Sequence, residues 1–251
     1  MKRALIFLYG IFSYSVFFAW FLYLIAFLAE IIVPKTINSG LTGDPFTAAA
    51  INLGLMLLFG LQHSLMPRKS FKNWVTRILP ESMERSTYVL VSSVLFFAIF
   101  YFWQPIPITL WHLENPLAAT AMHVLFGLGW LILLLSTFLI NHFELFGLQQ
   151  VFLQLRGKKS RNGRFVTPLF YKLVRHPMMV GILISVYSTP HMTVGHLIFA
   201  LCTTLYIAVG VRYEERDLAD HFGDDYTRYQ QEVPKLIPTG KKKTALTTEL
   251  S

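Results

Sequence analysis

Residues 1–30 read MKRALIFLYGIFSYSVFFAWFLYLIAFLAE, two cations followed by an apolar run that continues to about Ala29. The run is too long for the core of a secretory signal, and no small-x-small cleavage site follows it, so it reads as a retained helix. Further apolar runs cover roughly 47–66, 87–103, 117–140, 170–189 and 193–213, each near the ~20 residues that an α-helix needs to cross the hydrocarbon. Pro34, Pro67, Pro80, Pro105, Pro107 and Pro116 fall in the connections, where a missing amide donor costs least. The fifth run is the exception, because Arg175 and His176 interrupt it and only a short stretch separates Pro177 from Pro190. The expected fold is an all-α integral membrane bundle of five to six transmembrane helices, with 170–189 either crossing or forming half of a hairpin.

Composition points the same way. The 251 residues are 54% hydrophobic and 14% charged, against roughly a quarter charged in soluble domains. The net charge of +8 would raise nucleic acid as a partner in a soluble protein. Here the bases cluster between apolar runs, and topology accounts for them. Two precede the first run, Lys35 is alone in the first loop, and Arg68, Lys69, Lys72, Arg77 and Arg85 fill the second. None lies in the third, and the rest fall between Asn141 and Arg175 or from Arg212 onward. With six crossings and both termini cytoplasmic, every base except Lys35 is inside, as the positive-inside rule requires. The single cysteine, Cys202, lies in an apolar run and reads as a packing residue; one thiol builds neither a disulfide framework nor a cysteine zinc site.

Three segments read as interfacial amphipathic helices: Phe71, Trp74, Val75 and Ile78; Leu148, Val151, Phe152 and Leu155; and Leu218, Phe222, Tyr226 and Tyr229, the last broken at Gly223. Gly157–Arg164 reads as a mobile loop and 241–251 as a disordered tail of a single domain spanning 1–251.

Topology also predicts where the polar chemistry gathers. Gln62, His63 and Ser64 end the second helix, and Asn141, His142 and Glu144 end the fourth. Tyr171, Arg175 and His176 open the fifth, and Arg212, Tyr213, Glu214 and Glu215 end the sixth. Glu84, Arg85, Ser86, Thr87 and Tyr88 open the third. All five groups reach the inner interface at one depth. For Arg212, Arg68 or Gln62 taken singly, contact with headgroups is a sufficient account; several helix ends contributing together point to a site. Pro177 pre-organises a helix start, whose free amides and neighbouring guanidinium suit a carboxylate. Gly181 leaves room one turn later, and Glu214 and Glu215 offer acceptors for an ammonium or ribose hydroxyls. Such a set fits a nucleoside that bears an amino acid.

Metal chemistry finds no support: His191 and His196 stand on the outer turn and are spaced unlike ligands. Gly127-Leu128-Gly129 lies inside an apolar helix, where close helix contact explains it.

Arg175-His176-Pro177 with Gly181, then Glu214-Glu215 with Leu218, then Phe222-Gly223-x-x-Tyr226-x-x-Tyr229 and Val233-Pro234-x-x-Ile237-Pro238, resembles the C-terminal signature of the isoprenylcysteine carboxyl methyltransferase superfamily. Met179 stands where that signature usually has an aromatic residue. Phe59–Ser64, Glu84–Tyr88, Asn141–Leu148 and Thr189–His196 resemble a narrower group, the nurim-like membrane proteins, whose bacterial members methylate methanethiol. The resemblance implies a bacterial inner-membrane enzyme that transfers a methyl group from S-adenosyl-L-methionine to methanethiol, giving dimethyl sulfide. It makes 141–240 the cofactor-binding part, with Tyr171, Arg175, His176, Pro177, Gly181, Tyr213, Glu214 and Glu215 as cofactor residues. Arg85, Ser86, Tyr88 and Asn141 are then expected around the substrate.

The attacking species is the thiolate, so a base is needed, and His142 with Glu144, or His63, is the candidate. Another acceptor, an isoprenylcysteine carboxylate or a phospholipid amine, stays open, as does a non-enzymatic membrane protein. A transporter would show internal symmetry and mid-membrane polar groups, and neither is evident.

Overall fold

The structure, a computed structural model, describes residues 1–158 and 165–239. The expected mobile loop beyond Lys158 and the expected tail 241–251 lie outside these residues.

Among the described residues, five helices are long and apolar enough to cross a membrane: α1 (Lys2–Ala29), α2 (Pro45–Leu65), then, after the short α3 (Lys69–Val75), α4 (Glu81–Phe102), and later α5 (Pro116–Ile140) and the long helix Val194–Phe222. Between the last two come α6 (His142–Leu145), α7 (Leu148–Leu155), a 3-10 turn at Leu169–Lys172 and α8 (Pro177–Tyr187). The long helix is therefore α9, and α10 (Asp224–Glu232) follows it. Capping follows local chemistry. Asp44 accepts from Thr47 N ahead of Pro45, Asn115 accepts from Leu117 N and Ala118 N around Pro116, and Thr193 accepts from His196 N at the start of α9. Each satisfies amides that the first helical turn leaves free. Gly223, at φ 58°, separates α9 from α10 as expected.

Two features refine the expected bundle. The run 170–189, left open between a crossing and half of a hairpin, is not a sixth complete helical span. The 11 residues of α8 rise about 16 Å, half of the ~30 Å hydrocarbon. The segment nevertheless joins the two ends of the bundle, since His176 sits beside Glu215 near the end of α9 while His191 lies just before its start. The remainder of the distance is covered by non-helical chain, which is tolerated in a membrane where protein buries it; Ser188 and Thr189 are buried. The second feature is a small sheet in a fold expected to be all helical. Strands β1 (Thr109–His112) and β2 (His191–Thr193) pair antiparallel. Proline-rich connections cannot continue as helix, so their amides are satisfied by pairing with each other.

Neighbour relations form a circuit: α1 lies on α4, α4 on α2, α2 on α9, α9 on α8 and α8 on α5. The rings of Phe21 and Trp130, with centroids 5.4 Å apart, close it between α1 and α5. The α5–α8 contact is the tightest, because Gly129 and Gly181 oppose each other and a Cβ on Gly181 would lie 2.5 Å from the Gly129 carbonyl. Gly127, by contrast, meets nothing within 4 Å. The outward faces carry exposed leucines such as Leu53, Leu57, Leu58, Leu131 and Leu205, as lipid contact demands. Inside, the aromatic core includes Phe27, Trp103 and Phe100. Buried polar groups within the spans are mostly satisfied, Asn52 by both backbone groups of Gln104 and Ser185 by the Phe126 carbonyl. The Nε1 atoms of Trp20 and Trp130 are buried without a partner, each a loss of about 1–3 kcal/mol.

The ends of the circuit differ in charge. Gly157 lies against Arg3, Arg85 donates to the Leu145 carbonyl, and Arg175 meets the chain at 230–235, so the basic segments share one end. Lys35 lies at the other, donating to the Tyr101 carbonyl at the end of α4.

Candidate active site

Residue 175 is held in non-helical chain between the 3-10 turn and the proline start of α8, and this leaves its backbone free to bind the C-terminal segment. Arg175 N donates to the Pro234 carbonyl (2.9 Å) and His176 N to that of Lys235 (3.2 Å). The Arg175 guanidinium then reaches α9. Nε and Nη2 each lie 2.7 Å from Glu215 Oε1, while Nη1 donates to the carbonyls of Gln230 (2.8 Å) and Val233 (2.5 Å). The buried ring of His176 stands between two carboxylates, with Nε2 3.1 Å from Glu215 Oε1 and Nδ1 3.4 Å from Glu214 Oε2. Lys235 Nζ completes the group 2.9 Å from Glu215 Oε2.

Two charges keep free faces here. The Glu214 side chain is 43% exposed and that of Lys235 41%, whereas Arg175 and Glu215 are near 10%. A hollow of ≈ 320 Å³ opens beside Lys235, lined by Arg175, Gln230–Lys235 and Thr239, at the small end of the ~300–1,000 Å³ found for ligand pockets. Tyr229 donates to the Tyr171 carbonyl at 2.5 Å, and burial pushes its phenol up to about 12. Burial raises Tyr171 further, with the Glu214 carboxylate and Tyr229 adding to it. Both phenols therefore stay neutral donors near pH 7.

A second group lies on α2 and α4. His63 Nε2 is 2.7 Å from the Tyr88 hydroxyl and Nδ1 is 3.2 Å from Ser92 Oγ. The His63 ring stacks on Phe59 with centroids 5.0 Å apart and meets Tyr206 of α9 edge-on at 5.8 Å. The Arg85 guanidinium lies 5.1 Å from the Tyr88 ring centre, anchored by its Nε to the Leu145 carbonyl at 2.7 Å. Tyr206, which meets His63, lies on α9 eight residues before Glu214, so one helix carries both groups about 12 Å apart along its axis.

The other expected residues separate from these groups. Pro177 opens α8 and is buried. Gly181 faces α5, so helix contact accounts for its missing side chain. Tyr213 is half-exposed beneath the Arg68 guanidinium, 4.7 Å from its ring centre. Ser86 is fully buried against Gly147, whose φ of 86° turns the chain there. The expected pair of His142 with Glu144 is replaced by other partners. His142 Nε2 meets the Tyr14 hydroxyl and Nδ1 meets Thr137 Oγ1, each at 2.8 Å, and the ring stacks on Phe138 at 4.3 Å. Glu144 instead accepts from Asn141 Nδ2 at 2.8 Å, while Asn141 Oδ1 caps α6. Lys235, Ser92 and Tyr206 join the groups unannounced by any motif; only the spacing of Lys235 from the Val233-Pro234 pair marks it.

Burial lowers the pKa of His142. An unfolded chain takes up a proton there as pH falls through ~6.5, the folded chain only at lower pH, so stability is lost across that window on acidification. The melting temperature of the wild type is expected to fall below about pH 6.5 more steeply than that of His142→Gln. Equal slopes in thermal scans from pH 7.5 to 5.5 would contradict this.

Fold and site together define a polytopic α-helical membrane protein with most of its basic groups collected at one end of the bundle. The chain belongs to the NnrU family, whose model, described as NnrU protein, matches residues 52–234. It is 50% identical over 233 residues to methanethiol S-methyltransferase 1 of Bradyrhizobium diazoefficiens, covering 92% of this chain and 81% of that one. With the methanethiol S-methyltransferase of Mycobacterium tuberculosis it shares 45% identity over 95% and 98% of the two chains. Nurim of Bos taurus is 30% identical over 66% of each. No solved structure matches the chain.

Proposed function

We propose that this chain is an enzyme, a methanethiol S-methyltransferase, that uses S-adenosyl-L-methionine and forms dimethyl sulfide at the basic end of its bundle. The observation that carries the reading is 45–50% identity, over nearly the whole chain, to proteins named for that activity. The positive-inside rule assigns the basic end to the cytoplasm of a bacterial inner membrane, with both termini there. A charged, water-soluble donor reaches that end directly, and a small apolar thiol arrives through the lipid.

The residues present fit the donor in their chemistry. Glu214 has an exposed carboxylate face for an ammonium or for ribose hydroxyls, and Lys235, paired with Glu215 but 41% exposed, keeps a face toward the hollow for a carboxylate. Arg175 is already bound by Glu215 and two carbonyls, so its part is to position Glu215 and the 230–235 segment. His176 holds the two glutamates in register. S-adenosyl-L-methionine, when bound, supplies a methyl group already activated on a sulfonium, which leaves the protein the work of positioning and of deprotonating the thiol.

His63 is better placed for that proton than His142, whose ring is enclosed by Tyr14, Thr137 and Phe138. Tyr88 links His63 to the site. The thiol S–H bond breaks, the proton passes to the Tyr88 oxygen, and Tyr88 releases its own proton to His63 Nε2. The Arg85 cation beside the Tyr88 ring favours the thiolate that remains.

Tyr88→Phe is expected to lower kcat about a hundredfold while leaving donor affinity unchanged; kcat at the wild-type value would remove the relay. Calorimetric titration of the detergent-purified protein with S-adenosyl-L-methionine tests the donor. Saturable binding, weakened about tenfold or more in Glu214→Gln, is expected, and absence of binding by the wild type would overturn the donor assignment.

A further inference from the structure

We infer that Gln62 and Ser92 are positioning residues for the base: together they hold the ring proton of His63 on Nδ1, so that Nε2 stays bare toward Tyr88. The inference rests on the relay from Tyr88 to His63 and adds the groups that set its direction.

Tyr88 and Ser92 stand four residues apart on α4, and so on one face of it. Each meets one nitrogen of the His63 ring, Tyr88 at Nε2 (2.7 Å) and Ser92 at Nδ1 (3.2 Å). Among the described residues no other side chain bonds either nitrogen. A neutral imidazole has one N–H and one bare nitrogen, and a hydroxyl can serve either. Two hydroxyls alone therefore leave the tautomer open. Only one choice serves the relay. With the proton on Nε2, the ring would donate to the Tyr88 oxygen, and Tyr88 would have no nitrogen to receive its own proton.

Gln62 breaks the tie. Its amide turns inward, between Met66 and Ser92. Nε2 lies 2.9 Å from Met66 Sδ, and a thioether only accepts, so the nitrogen belongs on that side. Oε1 is then 3.3 Å from Ser92 Oγ, its one donor among the described residues. The Ser92 hydrogen goes to Oε1, and the Ser92 oxygen accepts from His63 Nδ1–H. A second Nε2 hydrogen can reach Ser92 Oγ as well, at 3.2 Å, and the oxygen still keeps a lone pair for His63. The opposite tautomer would draw the Ser92 hydrogen to Nδ1 and leave Oε1 without a donor, which costs a buried acceptor its lost hydration. Once Tyr88 has passed its proton to Nε2, both hydrogens of the imidazolium have acceptors in place, Nδ1–H on Ser92 and Nε2–H on Tyr88. Its positive charge balances the thiolate, and the proton leaves to water after the sulfide has formed.

Nitrogen-15 NMR of histidine-labelled protein at about pH 8, above the ordinary imidazole range, reads the tautomer without turnover. The His63 signals, identified among those of eight histidines by their absence from His63→Gln, are expected to show a protonated Nδ1 and a bare Nε2. A bare Nδ1, or protons on both nitrogens, would overturn the inference. Gln62→Met keeps the length of the side chain and removes the acceptor. It is expected to bring the Nε2-protonated form into the spectrum and to lower kcat about tenfold, with KM for S-adenosyl-L-methionine held; an unchanged spectrum and kcat would remove Gln62 from the relay. Added to Tyr88→Phe, where the relay is already broken, Gln62→Met is expected to cost nothing further, whereas a merely structural role would lower kcat equally in both backgrounds. No dimethyl sulfide from the wild type would instead remove the reading beneath, and the tautomer would still be read from the spectrum.

Discussion

Arg175→Ala is expected to abolish methyl transfer and to lower the melting temperature by about 10 °C. The reason is the number of groups that one guanidinium serves. It satisfies Glu215 through two nitrogens and the carbonyls of Gln230 and Val233 through a third. Removing one partner of a buried ion pair costs about 3–5 kcal/mol, because the remaining charge is left uncompensated, and in a chain of this size each kcal/mol moves the midpoint by roughly 2–4 °C. Lys235 and His176 still face Glu215 in the variant, which sets the loss below complete unfolding. The 230–235 segment loses its side-chain anchor, and with it the wall of the hollow. Arg175→Lys is expected to rescue little, since a single ammonium cannot span the carboxylate and two carbonyls together. Thermal scans and turnover on purified variants check both; a midpoint within about 2 °C of wild type for Arg175→Ala would show that the cluster does not hold the end of the bundle.

Gly181→Leu is expected to prevent the folded bundle from accumulating at all. A Cβ at this position would stand 2.5 Å from the Gly129 carbonyl oxygen and 2.8 Å from Leu133 N. Both obstacles are backbone, so no rotamer change relieves them, and α5 and α8 must separate. Overpacking of one methyl costs about 1–3 kcal/mol where side chains can yield; here a whole isobutyl group meets a main chain that cannot. Because α8 is short, it has few other contacts with which to hold its place. Gly127→Leu is the control, since its Cβ meets nothing within 4 Å, and its expected effect is negligible. Size-exclusion profiles of the two variants in detergent distinguish the outcomes: a monodisperse Gly181→Leu peak would contradict the tight α5–α8 contact.

The spans were legible because a bilayer rewards long apolar runs irrespective of what they touch. Their ends were less so. α4 begins at Glu81 and α9 continues to Phe222, both past the point where hydropathy stops, since a helix leaving the membrane has no reason to unwind on reaching water. For 170–189 the sequence left a crossing and half of a hairpin open, because half of its path is buried non-helical chain whose support comes from distant segments. At the site, the Arg175-His176 and Glu214-Glu215 pairs could be read from topology as reaching one place, but as contacts to a ligand rather than as the partners of each other that they are. The true neighbours of His142 could not. Its hydroxyl partner Tyr14 is 128 residues away, and nothing in the spacing around Asn141 distinguishes that contact from one to Glu144. Lys235 was hidden in the same way, as one more base in a basic tail.

The central claim is methyl transfer from S-adenosyl-L-methionine to methanethiol by this chain. Purified protein supplied with methanethiol and donor carrying a trideuterated methyl group should release dimethyl sulfide containing one heavy and one light methyl, read by mass in the headspace. Heavy methyl appearing only in other products, or no labelled dimethyl sulfide from protein that binds the donor, would contradict the account.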